Sequence, residues 1–339
     1  MPTVMEMVRD KARKLNRKIC LTESDDPRNL TAAARLVRTG FARPILAGNG
    51  AAIEKLAREQ SIDLKGVEIA DIQSWPRFND YVDAVVEIRK SKGLKPAQAR
   101  EWLMDTCAFS AAMVCAGDAH GYVSGGGNPR GYNHNTGAKI KPALQLFKTV
   151  PGIRTASAYF IMQLANRELG FNGALFYADC GLIINPGVDQ LAEIAVTTAK
   201  TFRALTGDEP RVGMISASTK GSARDPIIDK VIAATARAKT MAPEIKIDGE
   251  LQFDAAIVPE IGARKASGSP VAGRCNVLIF PDLNCGNTIY KATERLAGAT
   301  ATGPLVQGLR RPFNDVSRGC SADDIVDCSA MAAIMEWVD

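Results

Sequence analysis

The densest run of groups able to do chemistry lies late in the chain, where residues 314–324 read Asn-Asp-Val-Ser-Arg-Gly-Cys-Ser-Ala-Asp-Asp. Ile325, Cys328, Ala332 and Met335 follow at helical spacing, so the run should open a helix from Ser321 to Trp337. A helix N-terminus presents free N–H groups and the positive end of a dipole, which suit an anion. Arg318 adds a planar fork of donors that fits a phosphate. Gly319 would let the backbone approach a ligand closely. A plainer role runs alongside: Ser321 followed three residues later by Asp324 is close to a capping box, which serves the helix itself. The two roles are compatible.

Acid–base chemistry has few other carriers. Only two histidines are present, His120 and His134, which argues against a His-rich zinc site and against a Ser-His-Asp triad and leaves the work to a carboxylate. Gly125-Gly126-Gly127 is glycine-rich, but Pro129 follows at once and no helix start is evident. Neither a G-x-x-x-x-G-K-[ST] loop nor a G-x-G-x-x-G turn between strand and helix occurs, so an ATPase or a dehydrogenase has little support.

These groups must be positioned by an alternation of strands and helices. The 339 residues suit two α/β domains. Residues 18–22 read as a strand, 27–39 as a helix closed by Gly40, 44–47 as a strand and 51–60 as a helix. Leu191, Ile194, Ala195, Thr198, Phe202 and Leu205 share one helix face, stopped by Gly207. Strands follow at 211–216 and 276–280, and helices at 225–241 (Ile228, Val231 and Ile232 inward) and 286–296. Strands separated by helices imply mainly parallel sheets covered on both faces. The Pro-Gly pair after Val150 breaks a helical run, and the last helix is expected to return to the first domain, giving residues 1–150 plus 304–339 and residues 151–303.

The bulk properties set limits. Hydrophobic residues make up 46% and charged residues 23%, which is ordinary for a globular chain. The net charge of +5 is spread thinly. Groups such as Arg13-Lys14 and Arg17-Lys18 read as solvated helix faces rather than a nucleic-acid stripe, and a diffuse positive balance also suits a small polyanionic substrate. Eight cysteines without a CxxC pair read as buried thiols in a reducing compartment. No signal peptide and no apolar run long enough for a bilayer is found, so the expected location is the cytoplasm.

Several motifs together resemble the phosphate acetyltransferase family. Ser317-Arg318-Gly319-Cys320-Ser321-x-x-Asp324 matches its SRGCS-x-x-D signature, and residues 117–125 (GDAHGYVSG) resemble its GDADGLVSG. Residues 142–149 resemble PALQ-x-x-KT, and residues 178–180 are its ADC. Residues 218–222 (STKGS), 248–256 (DGELQFDAA) and 280–284 (FPDLN) match long stretches of it. The resemblance covers nearly the whole chain. It implies two α/β/α domains of the isocitrate dehydrogenase type, a homodimer, and an active site in the cleft between domains. It implies coenzyme A, acetyl phosphate and inorganic phosphate as substrates, with no tightly bound cofactor and no metal.

Residue roles carry over by position. Asp324 would take the proton from the coenzyme A thiol, Ser317 would hydrogen-bond the reacting centre, and Arg318 would hold the phosphoryl group. Gly319 and Cys320 would line the substrate, and Arg89 matches an arginine that contacts coenzyme A phosphates. The chain departs from the pattern in one segment. Where the family reads HST-x-D-x-x-R, residues 134–141 read HNTGAKIK, with Lys141 in place of the arginine and no acid. The preceding connection is longer and carries Arg130, a candidate to share a coenzyme A phosphate with Lys141.

Rival readings remain open at this level. Cys180 or Cys320 could be acetylated first, in a ping-pong scheme, although free cysteines are more often inert core residues. A silent acyl-coenzyme A-sensing domain shares the fold; such domains have lost the SRGCS-x-x-D segment, which is intact here, and are fused to a malic enzyme, which is not expected ahead of Met1. An acyltransferase preferring longer chains such as butyryl is the second rival. An oxidoreductase of the same fold would need metal-binding acids and a nucleotide site, and the sequence offers neither.

Overall fold

The computed structural model describes residues 1–126 and 136–338. The chain divides into two compact units, one of Val8–Val150 with Leu309–Asp339 and one of Met1–Met7 with Pro151–Gly308.

The chain opens with α1 (Val4–Leu15), β1 (Lys18–Leu21), α2 (Pro27–Thr39), β2 (Arg43–Gly48), α3 (Gly50–Glu59) and β3 (Glu68–Asp71). Then come α4 (Phe78–Ile88), a 3-10 turn at Lys90–Lys92, α5 (Pro96–Trp102), α6 (Thr106–Cys115), β4 (Gly121–Ser124) and α7 (Thr136–Leu146). Local chemistry sets these limits. Asp26 caps α2 by accepting from the Arg28 N–H, Pro27 fills the first helical position, and Gly40 ends the helix at φ 71°.

The second unit holds β5 (Ser157–Gln163), β6 (Ala174–Ala178), α8 (Val188–Thr206), β7 (Arg211–Ile215), α9 (Pro226–Met241) and β8 (Lys246–Leu251). It continues with α10 (Phe253–Ile257), α11 (Pro259–Lys265), β9 (Val277–Ile279), α12 (Leu283–Leu296) and β10 (Thr300–Gln307). Strands β6, β9, β7 and β8 are parallel in that order, whereas β10, β5 and β6 pair antiparallel. Its core is aromatic: Phe160 stacks on Tyr290 at 4.0 Å and Tyr177 meets Phe280 edge-on at 5.2 Å.

The chain then closes the first unit with β11 (Phe313–Asp315) and α13 (Ala322–Ile334). That unit's strands lie in the order β3-β2-β1-β4-β11, all parallel. The chain leaves β1 toward β2 on one side and returns as β4 on the other, so β1 and β4 flank a topological switch point, where open α/β sheets place their ligands.

Some expectations need correction. Ile232 is 42% exposed and faces outward, while Ile228 and Val231 are buried. Helix α12 starts at Leu283, three residues early, because Asp282 caps it through the Cys285 N–H. Helix α13 stops at Ile334, since Met335 is extended (ψ 132°) and Trp337 donates its indole N–H to the His120 carbonyl at 2.7 Å. Arg17 is no solvated helix residue: its guanidinium donates to the Ala333 and Met335 carbonyls and to Glu336. Cys115 and Cys285 are half-buried rather than buried, and all eight cysteines are free. Among the described residues no helix is long and apolar enough to cross a membrane.

Candidate active site

The loops leaving β1, β4 and β11 meet at the switch point of the first unit. Directly after β1, Glu23 is 5% exposed and accepts the Ser124 hydroxyl at 2.8 Å, the Gly125 N–H at 2.7 Å and the Thr22 hydroxyl. Two glycines are required here by close approach. A Cβ on Gly125 would lie 2.9 Å from Val316 Cγ2, and one on Gly126 (φ +81°) would lie 2.7 Å from Asp26 Oδ2 and 2.8 Å from Arg28 Nη2. These two glycines therefore serve packing under the site.

Arg28, in the first turn of α2, links this floor to the signature loop. Its Nε and Nη2 form a fork with Asp26 at 3.0 and 2.6 Å, which raises the arginine's pKa further. The remaining Nη1 donates to the Arg318 carbonyl at 2.8 Å and the Cys320 carbonyl at 2.9 Å. One side chain thus fixes the loop backbone at both ends of Arg318-Gly319-Cys320.

The loop begins where β11 ends. The Val316 N–H bonds the Ser124 carbonyl at 2.9 Å, and the Cys320 N–H bonds the Ser317 carbonyl at 3.0 Å. Ser317, Arg318 and Gly319 are exposed, and a Cβ on Gly319 would meet nothing within 4 Å. The space beside Gly319 is open to a ligand rather than filled by protein. Among the described residues the Arg318 guanidinium is paired with no carboxylate, so it is free to take a phosphate.

At the start of α13 the capping box is complete. Asp324 Oδ2 accepts from the Ser321 N–H at 2.7 Å and from its hydroxyl at 2.9 Å, while the Asp324 N–H donates back to Ser321 Oγ at 3.2 Å. Both acceptor bonds fall on Oδ2, and among the described residues Oδ1 takes no hydrogen bond. The carboxylate is thereby held by one oxygen and open at the other. Cys320 is buried, and burial raises its thiol pKa although Arg28 pulls it down.

The structure gathers Ser317, Arg318, Gly319, Cys320 and Asp324 on this one loop and helix start. Arg89 caps the C-terminus of α4 and is half-buried, and Lys141 is exposed on α7. Neither side chain bonds any described residue, and no bond joins them to the loop. Arg130 lies outside the described residues. Sequence reasoning missed Glu23, Asp26, Arg28, Lys139 and Asp315. An Asp-Pro pair before an apolar-periodic helix signals a cap at Asp26, but nothing local marks the other four. A cavity of about 680 Å³ opens at the ends of β1 and β2, lined in part by Glu23, Asp25, Glu101 and Asp105. Four carboxylates suit it poorly to phosphates, so the phosphate reading rests on the Arg318 loop.

A parallel sheet whose switch-point loops carry an arginine without a carboxylate partner among the described residues, beside a capped helix start, is the arrangement of an open α/β protein with room for a ligand at its strand ends. Comparison narrows the class. The family model described as phosphate acetyl/butaryl transferase matches residues 3–333. The phosphate acetyltransferase of Acetivibrio thermocellus is 47% identical over 330 residues, covering 97% of each chain. The crystal structure of a phosphotransacetylase from Streptococcus pyogenes superposes with a TM-score of 0.88 at 39% identity, again covering 97% of each chain. A 4-hydroxythreonine-4-phosphate dehydrogenase from Burkholderia phymatum, at 11% identity and a TM-score of 0.53 over 94% of this chain and 97% of that one, shares the fold alone. The chain belongs to the phosphate acetyl/butaryl transferase family.

Proposed function

We propose that this chain moves an acetyl group between acetyl phosphate and the thiol of coenzyme A by direct attack at the Ser317–Asp324 segment. In the direction of thioester synthesis, Asp324 Oδ1 takes the thiol proton and the sulfur attacks the acetyl carbonyl carbon. The carbon–oxygen bond to phosphate breaks, and phosphate leaves with the proton returned from Asp324. A base is needed because a free thiol, with a pKa near ~8.5, is mostly protonated at neutral pH. Arg318 holds the phosphoryl oxygens, and the Ser317 hydroxyl, which accepts the Gly319 N–H at 3.3 Å and can still donate its own proton, stabilises the charge that develops on the carbonyl oxygen. Arg89 and Lys141 take coenzyme A phosphates. The scheme calls for no metal and no bound cofactor.

The observation that carries this reading is the division of labour at Asp324, capping through Oδ2 with Oδ1 open beside an unpaired Arg318. The ping-pong alternative is disfavoured by the thiols. Burial drives Cys180 well above its ordinary pKa and raises Cys320, so neither is poised as a thiolate. Family resemblance further supports a homodimer working in acetate metabolism, and the free thiols suit the cytoplasm.

The test is thioester absorbance after mixing coenzyme A with acetyl phosphate and, in parallel, butyryl phosphate. Turnover with acetyl phosphate as the better substrate is expected. A folded sample that turns over neither would favour a sensing domain, and a preference for butyryl phosphate would move the substrate to longer chains.

A further inference from the structure

Lys139 carries a buried charge that the proposed mechanism does not use. It sits on α7, is 2% exposed, and lies in the segment that departs from the family pattern. Its ammonium makes three contacts: the Gly126 carbonyl at 3.0 Å, Asp315 Oδ1 at 3.2 Å and Glu23 Oε1 at 3.3 Å. Both carboxylates are nearly as buried, at 5% exposure for Glu23 and 3% for Asp315. Burial works against the ammonium's charge, yet Asp315 and Glu23 outweigh it and raise the lysine's pKa.

The three partners stand at the ends of three neighbouring strands. Glu23 follows β1, Gly126 follows β4 and Asp315 closes β11. Each leads to the reacting segment by a short path. Asp315 is two residues from Ser317. The Gly126 backbone packs so tightly on Asp26 and Arg28 that a Cβ there would clash, and Arg28 holds the Arg318 and Cys320 carbonyls. Glu23 fixes Ser124 and Gly125, and the Ser124 carbonyl receives Val316.

We propose that Lys139 is a positioning residue for acetyl transfer: its ammonium ties the ends of β1, β4 and β11 together and so sets the Ser317–Cys320 loop against the phosphoryl group. This rests on the reading of Ser317–Asp324 as the reacting segment. A buried ammonium has no access to coenzyme A, so its effect should reach one substrate and not the other. Removing it would take away the ammonium that the buried Glu23 and Asp315 share, a costly loss that moving the strand ends apart would relieve.

The experiment measures kcat and both KM values for Lys139→Met, for Lys139→Arg and for Lys139→Met with Glu23→Gln, beside Asp324→Asn. The double variant keeps the net charge of the buried group. For Lys139→Met, kcat/KM for acetyl phosphate should fall about tenfold to a hundredfold per folded enzyme while KM for coenzyme A stays within about twofold. Lys139→Arg should recover part of the loss. Should Lys139→Met fail to fold, the double variant should fold and still show the selective loss. Unchanged acetyl phosphate kinetics in either folded variant, or parallel shifts in both KM values, would overturn the inference. Asp324→Asn separates the two readings: if it retains full activity the reacting segment is misassigned, whereas an inactive Asp324→Asn beside a normal Lys139→Met refutes only the role of Lys139.

Discussion

Replacing Asp324 with Asn separates catalysis from helix capping by magnitude. The carboxylate Oδ2 accepts two bonds from Ser321 at 2.7 and 2.9 Å. An asparagine oxygen can accept the same bonds, so what the helix loses is the charge at its N-terminus, about 0.3–1 kcal/mol. For a chain of this size, at ~2.1 cal/mol/K of unfolding entropy per residue, that lowers Tm by only about 0.5–1.5 °C. Loss of a general base costs ~10²–10⁴-fold in kcat, or roughly 3–5 kcal/mol at 1.36 kcal/mol per decade. The catalytic term exceeds the capping term several times over. Steady-state thioester formation together with a thermal melt reads both quantities on one sample. KM for coenzyme A should barely change, because the amide removes a proton acceptor and not a binding contact. Turnover within about threefold of the parent, in a variant melting within a few degrees of it, would leave Asp324 as a cap and refute the reasoning.

Arg318→Ala should raise KM for acetyl phosphate and for phosphate more than KM for coenzyme A, and Arg318→Lys should recover only part, since an ammonium has no two-pronged geometry; a larger loss of coenzyme A affinity would reverse the orientation proposed for the site. Lys141→Ala and Arg130→Ala should each raise KM for coenzyme A with kcat nearly unchanged, and coupling in the double variant would indicate a shared phosphate, while an unaltered Arg130→Ala enzyme would make that residue a bystander. His120 gives a pH-dependent prediction. Burial lowers its pKa below the usual 6.5, with the Met335 carbonyl opposing and Arg17 adding to the shift. The unfolded chain therefore protonates first, and the stability held by neutral His120 is complete above about pH 6.5 and lost as pH falls through the lower native value. Melts from pH 8 to 5 should show the parent losing Tm relative to His120→Gln, and parallel curves would exclude the effect.

What the sequence disclosed was local. Helix α2 was legible to the residue because Pro27 starts it and Gly40 ends it, both at the boundary itself. The apolar period of α9 marked a helix but misplaced Ile232, because neighbouring apolar positions leave the centre of the face undecided until packing chooses it. The end of α13 was illegible for a related reason. Its last turn yields to a bond between Trp337 and His120, 217 residues apart in the chain. The segment proposed to react could be singled out because Ser317 to Asp324 is contiguous. Its supports could not, since Arg28 reaches Arg318 across 290 positions and Lys139 reaches Asp315 across 176. Residue types that look like ordinary surface charges acquire meaning only when the strand order brings them together.

The site also shows a physical partition that orders these effects. Every charged group buried at the strand ends is paired: Glu23 and Asp315 with Lys139, and Asp26 with Arg28. A buried charge without a partner is costly, so each of these contacts is stringent and each partner constrains a backbone segment. The groups left open, the Arg318 guanidinium and Asp324 Oδ1, stand on an exposed loop and a half-exposed helix start, where water satisfies them at little cost until substrate arrives. Substitutions in the buried set should therefore lower stability and misplace the loop together, whereas those in the open set should lower activity in a chain that still melts normally. The capping box joins the two sets at Asp324. On the proposed mechanism, fixing Oδ2 to Ser321 removes rotational freedom that would otherwise be lost on reaching the transition state, and would aim Oδ1 before the thiol is bound.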